Sequence, residues 1–97
     1  MHERELRAFV ATVEAGRMDR AAKALGYSQP AISYQINCLE QELGTRLFVR
    51  HPDGAQLTRE GAMVLPAARA VLSLVDGIRD AAAQQSRTPV RKLRAAC

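Results

Sequence analysis

The stretch RMDRAAKALGYSQPAISYQINCLEQELGTRLFVR, residues 17–50, decides the fold. Its first part places Met18, Ala21, Ala22 and Leu25 at helical spacing, with Arg20 and Lys23 on the outward side, and Gly26 stops the pattern. The small pair Ala21 and Ala22 lets another helix cross closely. After Tyr27, Ser28 is a good N-cap and Pro30 falls in the first turn, where a missing amide hydrogen costs little. A helix over 28–43 follows, with Ala31, Ile32, Ile36, Leu39 and Leu43 as its buried stripe and Gly44 as its end. The opposite side presents Gln29, Ser33, Tyr34, Gln35 and Asn37, which can hydrogen-bond but carry no charge. Such a face suits the edges of base pairs, which offer donors and acceptors in a groove wide enough for a helix.

Before this stretch, Leu6, Phe9, Val10 and Val13 form the stripe of a first helix that ends near Ala15, before Gly16. On the other side, Leu47, Phe48 and Val49 are a short β-prone run. His51, Pro52, Asp53 and Gly54 read as a turn, and Ala55 to Thr58 as a returning strand, making a small hairpin or wing. Thr58 then caps a long helix from Arg59 to about Gln85, roughly 27 residues and about 40 Å. Along it Val64, Ala68, Val71, Val75, Ile78 and Ala82 alternate steps of four and three, with Leu65, Leu72 and Leu74 widening the apolar surface. A seam without a partner in its own chain implies a second copy, so Val64, Ala68, Val71, Leu72, Val75, Ile78 and Ala82 are the expected dimer interface. Pro66 should bend this helix near its start.

The expected architecture is mainly α: a winged helix-turn-helix of three helices plus a two-stranded β-hairpin wing over 1–58, a long dimerisation helix over 59–86, and a basic linker over 87–97. A chain of 97 residues has room for one modest core. No uninterrupted apolar run approaches the ~20 residues of a membrane span, and the N-terminus lacks the order of a signal peptide. A cytoplasmic protein with no membrane contact is expected. Cys38 and Cys97 sit in unrelated contexts, so neither metal nor cofactor is expected. The net charge is +4, yet residues 1–86 carry ten basic and ten acidic side chains, and the excess belongs to Arg87, Arg91, Lys92 and Arg94. Electrostatics therefore permit nucleic-acid binding without demonstrating it.

Two short helices crossing at a glycine turn, the second polar outside, and then a hairpin with a basic base form the winged helix-turn-helix arrangement. The same pattern fits a helical bundle whose hairpin serves protein contact. An enzyme is a weaker reading: Ser33, His51 and Asp53 are present, but nothing sets a nucleophile beside a base.

Beyond pattern, the strings AFVATVEAG (8–16), RAAKALGYSQPAISYQINCLEQELGTRLFVR (20–50) and LTREGAMVLPAAR (57–69) resemble the N-terminal region of LysR-type transcriptional regulators. The resemblance covers residues 1 to about 85. It implies sequence-specific binding of double-stranded DNA by a homodimer at an interrupted inverted repeat, with the helix at 28–43 in the major groove. Base or phosphate contacts are implied for Ser28, Gln29, Pro30 and Ser33, with a phosphate contact from Arg50. Tyr34 and Asn37 stand where relatives often carry basic residues, so they join the groove-facing set as hydrogen-bonding groups. Arg20 and Lys23 on the bracing helix and His51 on the wing are the outer phosphate candidates. Pro52, Asp53 and Gly54 replace a loop that is usually arginine-rich, so the resemblance leaves open whether the wing enters the minor groove. It also implies a small-molecule inducer acting through a C-terminal effector domain, often in a tetramer, and residues 91–97 resemble the first strand of that domain. Fraying from about Arg87 follows from that reading, and a naturally short protein with a basic tail is its alternative.

Overall fold

A computed structural model describes residues 1–51 and 54–87. Pro52 and Asp53 at the wing tip and residues 88–97 of the basic tail lie outside the described residues, and with them the expectations made for that loop and tail. The chain order is α1 (Glu3–Ala15), α2 (Met18–Leu25), α3 (Gln29–Leu43), β1 (Phe48–His51), β2 (Gly54–Leu57) and α4 (Arg59–Arg87).

α1 starts where Glu5 folds back to accept the His2 backbone N–H at 3.3 Å, which satisfies one donor at an otherwise open helix end. Its apolar residues Leu6, Phe9 and Val10 are buried as the stripe requires. Ser28 caps α3 by accepting the Ala31 N–H at 3.3 Å. α2 and α3 both end on a left-handed glycine, Gly26 at φ 78° and Gly44 at φ 71°, a conformation that a side chain would strain. These two stops set the crossing of α2 with α3 and the turn into the wing.

β1 and β2 pair antiparallel in the register Phe48 with Leu57, Val49 with Gln56, Arg50 with Ala55 and His51 with Gly54. The returning strand ends one residue before the expected Thr58, because the Thr58 hydroxyl is taken by the next helix. It accepts the Gly61 N–H at 2.9 Å and donates to the Arg46 carbonyl at 2.6 Å. β2 is anchored to the first turn of the domain as well, with the Ala55 N–H reaching the Gly16 carbonyl at 3.2 Å. The core joins Phe9, Ile32, Ile36, Leu39, Leu47 and Phe48, and the Phe9 and Phe48 rings meet at 5.5 Å with a 60° tilt. That tilted contact ties α1 to the wing.

α4 continues through Pro66 for 29 residues, about 44 Å. The expectation that its seam has no partner in its own chain is corrected by the packing. Ala68 and Leu72 are buried in the core, and Val64 and Leu65 pack against it. Ion pairs continue the contact: Arg7 to Asp76 at 2.8 Å, Arg79 to Glu3 at 3.0 Å, and Arg69 to Glu14 at 3.8 Å. Arg7, then Arg79, hold the Glu3 carboxyl below its usual range. An apolar stripe specifies burial but not by whom. Val71, Ile78 and Ala82 stay exposed and Val75 half-buried. With Met63 and Leu74, both about 70% exposed, the open stripe lies to one side of the expected seam.

By length and average hydropathy α4 has the character of a membrane-crossing helix. Its Arg69, Asp76 and Arg79 are ion-paired to α1, and each charge at a bilayer centre would cost about 3 kcal/mol. Packing on α1 is the arrangement those charges fit.

Candidate nucleic-acid interface

α3 owes its open side to its own stripe. Because Ile32, Ile36 and Leu39 are buried, the residues between them must face away, and Ser28, Gln29, Pro30, Tyr34 and Asn37 are all exposed. Ser33 is half-buried at the edge of this side. Gln35 departs from expectation: it is half-buried, and its Oε1 atom is buried with no hydrogen-bond partner among the described residues. A position beside Ile36, at the border of the buried stripe, turns partly toward the neighbouring packing.

Tyr34 is the most exposed aromatic, at 68%. Hydrogen bonding with Cys38, one turn further on, raises its phenol above the usual value. Arg20 and Lys23 are exposed on α2, and Arg50 and His51 on β1. Arg50 does not project freely: its Nη2 donates to Ser33 Oγ at 2.7 Å. The sequence placed both residues in the interface but did not reveal that they touch.

The start of α2, the start of α3 and the wing enclose a cleft of about 250 Å³ lined by Arg17, Met18, Asp19, Gln29, Arg50, His51, Gly54 and Ala55. Arg17 contacts Asp19 at 3.0 Å and holds that carboxyl below its usual range, so the two charges largely cancel. Among the described residues, Arg50 is left as the cleft's uncompensated cation. Arg17 and Asp19 escaped the sequence reading, where they counted only as charge. Their position straight after Gly16, at the mouth of α2, was the available signal.

Glu40 was also read only as charge, yet it is 8% exposed and holds the wing in place. Its Oε2 accepts the Leu47 N–H at 2.7 Å and the Phe48 N–H at 3.2 Å, and Arg46 approaches its other oxygen at 3.5 Å. In the sequence its sole hint is a carboxylate directly beside Leu39 of the buried stripe.

Residues 4–62 match the model of a family described as bacterial regulatory helix-turn-helix protein, lysR family. The chain is 49% identical over 74 residues to the transcriptional regulator TfdS of Cupriavidus pinatubonensis, a match covering 76% of the chain and 25% of that regulator. The chain thus spans about a quarter of the length of this curated relative. Among solved structures it is similar to the CbnR DNA-binding domain in complex with DNA, at 43% identity and a TM-score of 0.77, covering 87% of this chain and 99% of that one. The BenM DNA-binding domain in complex with catB site 1 DNA is similar at 36% identity and a TM-score of 0.84, covering 92% and 100%.

Proposed function

The chain belongs to the lysR family of bacterial helix-turn-helix regulators, and from that premise we propose that it is the DNA-binding part of a sequence-specific transcription factor. α3 enters the major groove, α2 braces it against the backbone, and the wing reaches phosphate. The observation that carries this reading is the exposed, uncharged hydrogen-bonding side of α3, Gln29, Tyr34 and Asn37, flanked by the guanidinium of Arg50. Ser28, Pro30, Arg20, Lys23 and His51 complete the interface. The relatives are named as transcriptional regulators, and the role proposed here involves no catalysis. In it the protein works in the cytoplasm, where bacterial DNA lies, without a membrane partner. Control by a small-molecule inducer belongs to a further domain of the kind that makes the relatives longer.

Base contacts and phosphate contacts have different signatures. Arg50→Ala is expected to weaken binding to all duplexes and to lower the dependence of log affinity on log salt by about one, the release of roughly one counterion. Gln29→Ala is expected to cost about 1–3 kcal/mol on a selected duplex and little on a random one. Titrations at several salt concentrations separate the two, and equal losses on both duplexes from both variants would defeat the reading.

Two such heads address the half-sites of an interrupted inverted repeat, since a twofold dimer imposes its symmetry on the site. The stripe left open on α4, with Leu74 and Ile78 about 70% exposed, is the proposed contact between copies. Leu74→Glu combined with Ile78→Glu is expected to give monomers in sedimentation, with the head's melting unchanged. A dimer that survived both charges would place the contact elsewhere.

A further inference from the structure

The hydrogen bond from Arg50 to Ser33 joins residues 17 apart in the chain, and it is one point at which α3 holds the wing. Another is Glu40, which accepts the Leu47 and Phe48 N–H groups. Ser33 and Glu40 are two helical turns apart, about 10 Å at 1.5 Å per residue. Leu47 to Arg50 in extended backbone covers about 10 Å at 3.3 Å per residue. The two spans are commensurate, so the strand runs back along the helix and delivers Arg50 to Ser33. Side chains alternate along a strand, so Arg50 leaves β1 on the face of Phe48, the face turned to the core and α3.

We propose that Ser33 is a positioning residue for Arg50 and does not read bases: with Glu40 it fixes the wing's guanidinium beside the groove-facing side of α3. A free arginine side chain loses rotamer entropy when a phosphate immobilises it. One already held by a hydroxyl acceptor has lost part of that freedom before binding, and the exposed Arg50 has further N–H donors to offer. Ser33 therefore acts on affinity for any duplex, through Arg50. A base-reading Ser33 would act on the preferred sequence alone.

This assignment rests on the DNA-binding reading, and the test separates the two. Ser33→Ala, Ser33→Thr, Arg50→Ala and the double alanine variant are titrated with a duplex selected by the wild-type protein from a random pool, and with a shuffled duplex of the same composition. Ser33→Ala is expected to weaken both duplexes alike, by roughly three- to tenfold, and the double variant to bind no worse than Arg50→Ala. Ser33→Thr, which keeps the acceptor, is expected to stay within about twofold of wild type, which guards against a mere folding defect. A loss confined to the selected duplex, or losses that multiply in the double variant, would overturn the assignment. Wild-type protein with no salt-dependent affinity for either duplex would overturn the DNA-binding reading and this assignment with it, and the wild-type control alone identifies that case.

Discussion

Replacing Glu40 by alanine is expected to remove about 2–6 kcal/mol of stability, since two buried N–H groups lose their acceptor at about 1–3 kcal/mol each. Those groups belong to Leu47 and Phe48, both almost fully buried, so water cannot easily take the place of the carboxylate. A domain of this size has about 5–15 kcal/mol in total, so the variant should melt well below the parent. Glu40→Gln keeps one oxygen able to accept both bonds and should lose only about 1–2 kcal/mol, the difference between a charged and a neutral acceptor. Arg46 is the control. Its side chain is 70% exposed, so its ion pair with Glu40 is largely screened, and Arg46→Ala should change stability by less than about 1 kcal/mol. Urea unfolding read by circular dichroism measures all three. A Glu40→Ala variant within about 0.5 kcal/mol of the parent would show that the wing does not need this acceptor.

Gly61→Ala should be the second large effect, and its sign runs against helix propensity. Alanine inside a helix is favoured over glycine by about 1 kcal/mol. At Gly61, however, a Cβ atom would run into the Leu47 carbonyl oxygen and come within 2.8 Å of Leu57 Cδ2. The carbonyl cannot swing away, because it already accepts the Thr58 N–H at 2.9 Å. Relief therefore requires the first turn of α4 to lift off the wing, at about 1–3 kcal/mol for overpacking, enough to cancel or exceed the propensity gain. A net loss of up to about 2 kcal/mol is expected. At Gly77 in the same helix an added methyl would meet nothing within 4 Å, so Gly77→Ala should instead raise the monomer's stability by up to about 1 kcal/mol. Equal shifts for the two glycines would remove the steric argument.

Much of the exposed face of α3 was legible because local chemistry sets it. Ser28 and Gly44 bound α3, and the Ile32, Ile36 and Leu39 stripe leaves Gln29, Tyr34 and Asn37 outside whatever the neighbours are. Gln35 was misplaced because its position lies at the border of the stripe, where the depth of the surrounding packing decides. Ala68 and Leu72 were misplaced for a related reason. They fit a coiled-coil spacing and an intramolecular one equally, and the nearness of α1 settles the matter.

The order of residues alone determined where α2 and α3 start and stop, which side of α3 is buried, and that a hairpin precedes a long apolar helix, because caps, left-handed glycines and period are short-range properties. The folded chain decided what each buried face meets and what each polar side chain is for. Glu40 becomes the acceptor for the wing, and Ser33 the holder of Arg50, only when residues 7 to 17 positions away arrive beside them. A hydrogen bond demands its partner within about 3 Å, and no local pattern of residue types encodes that distance.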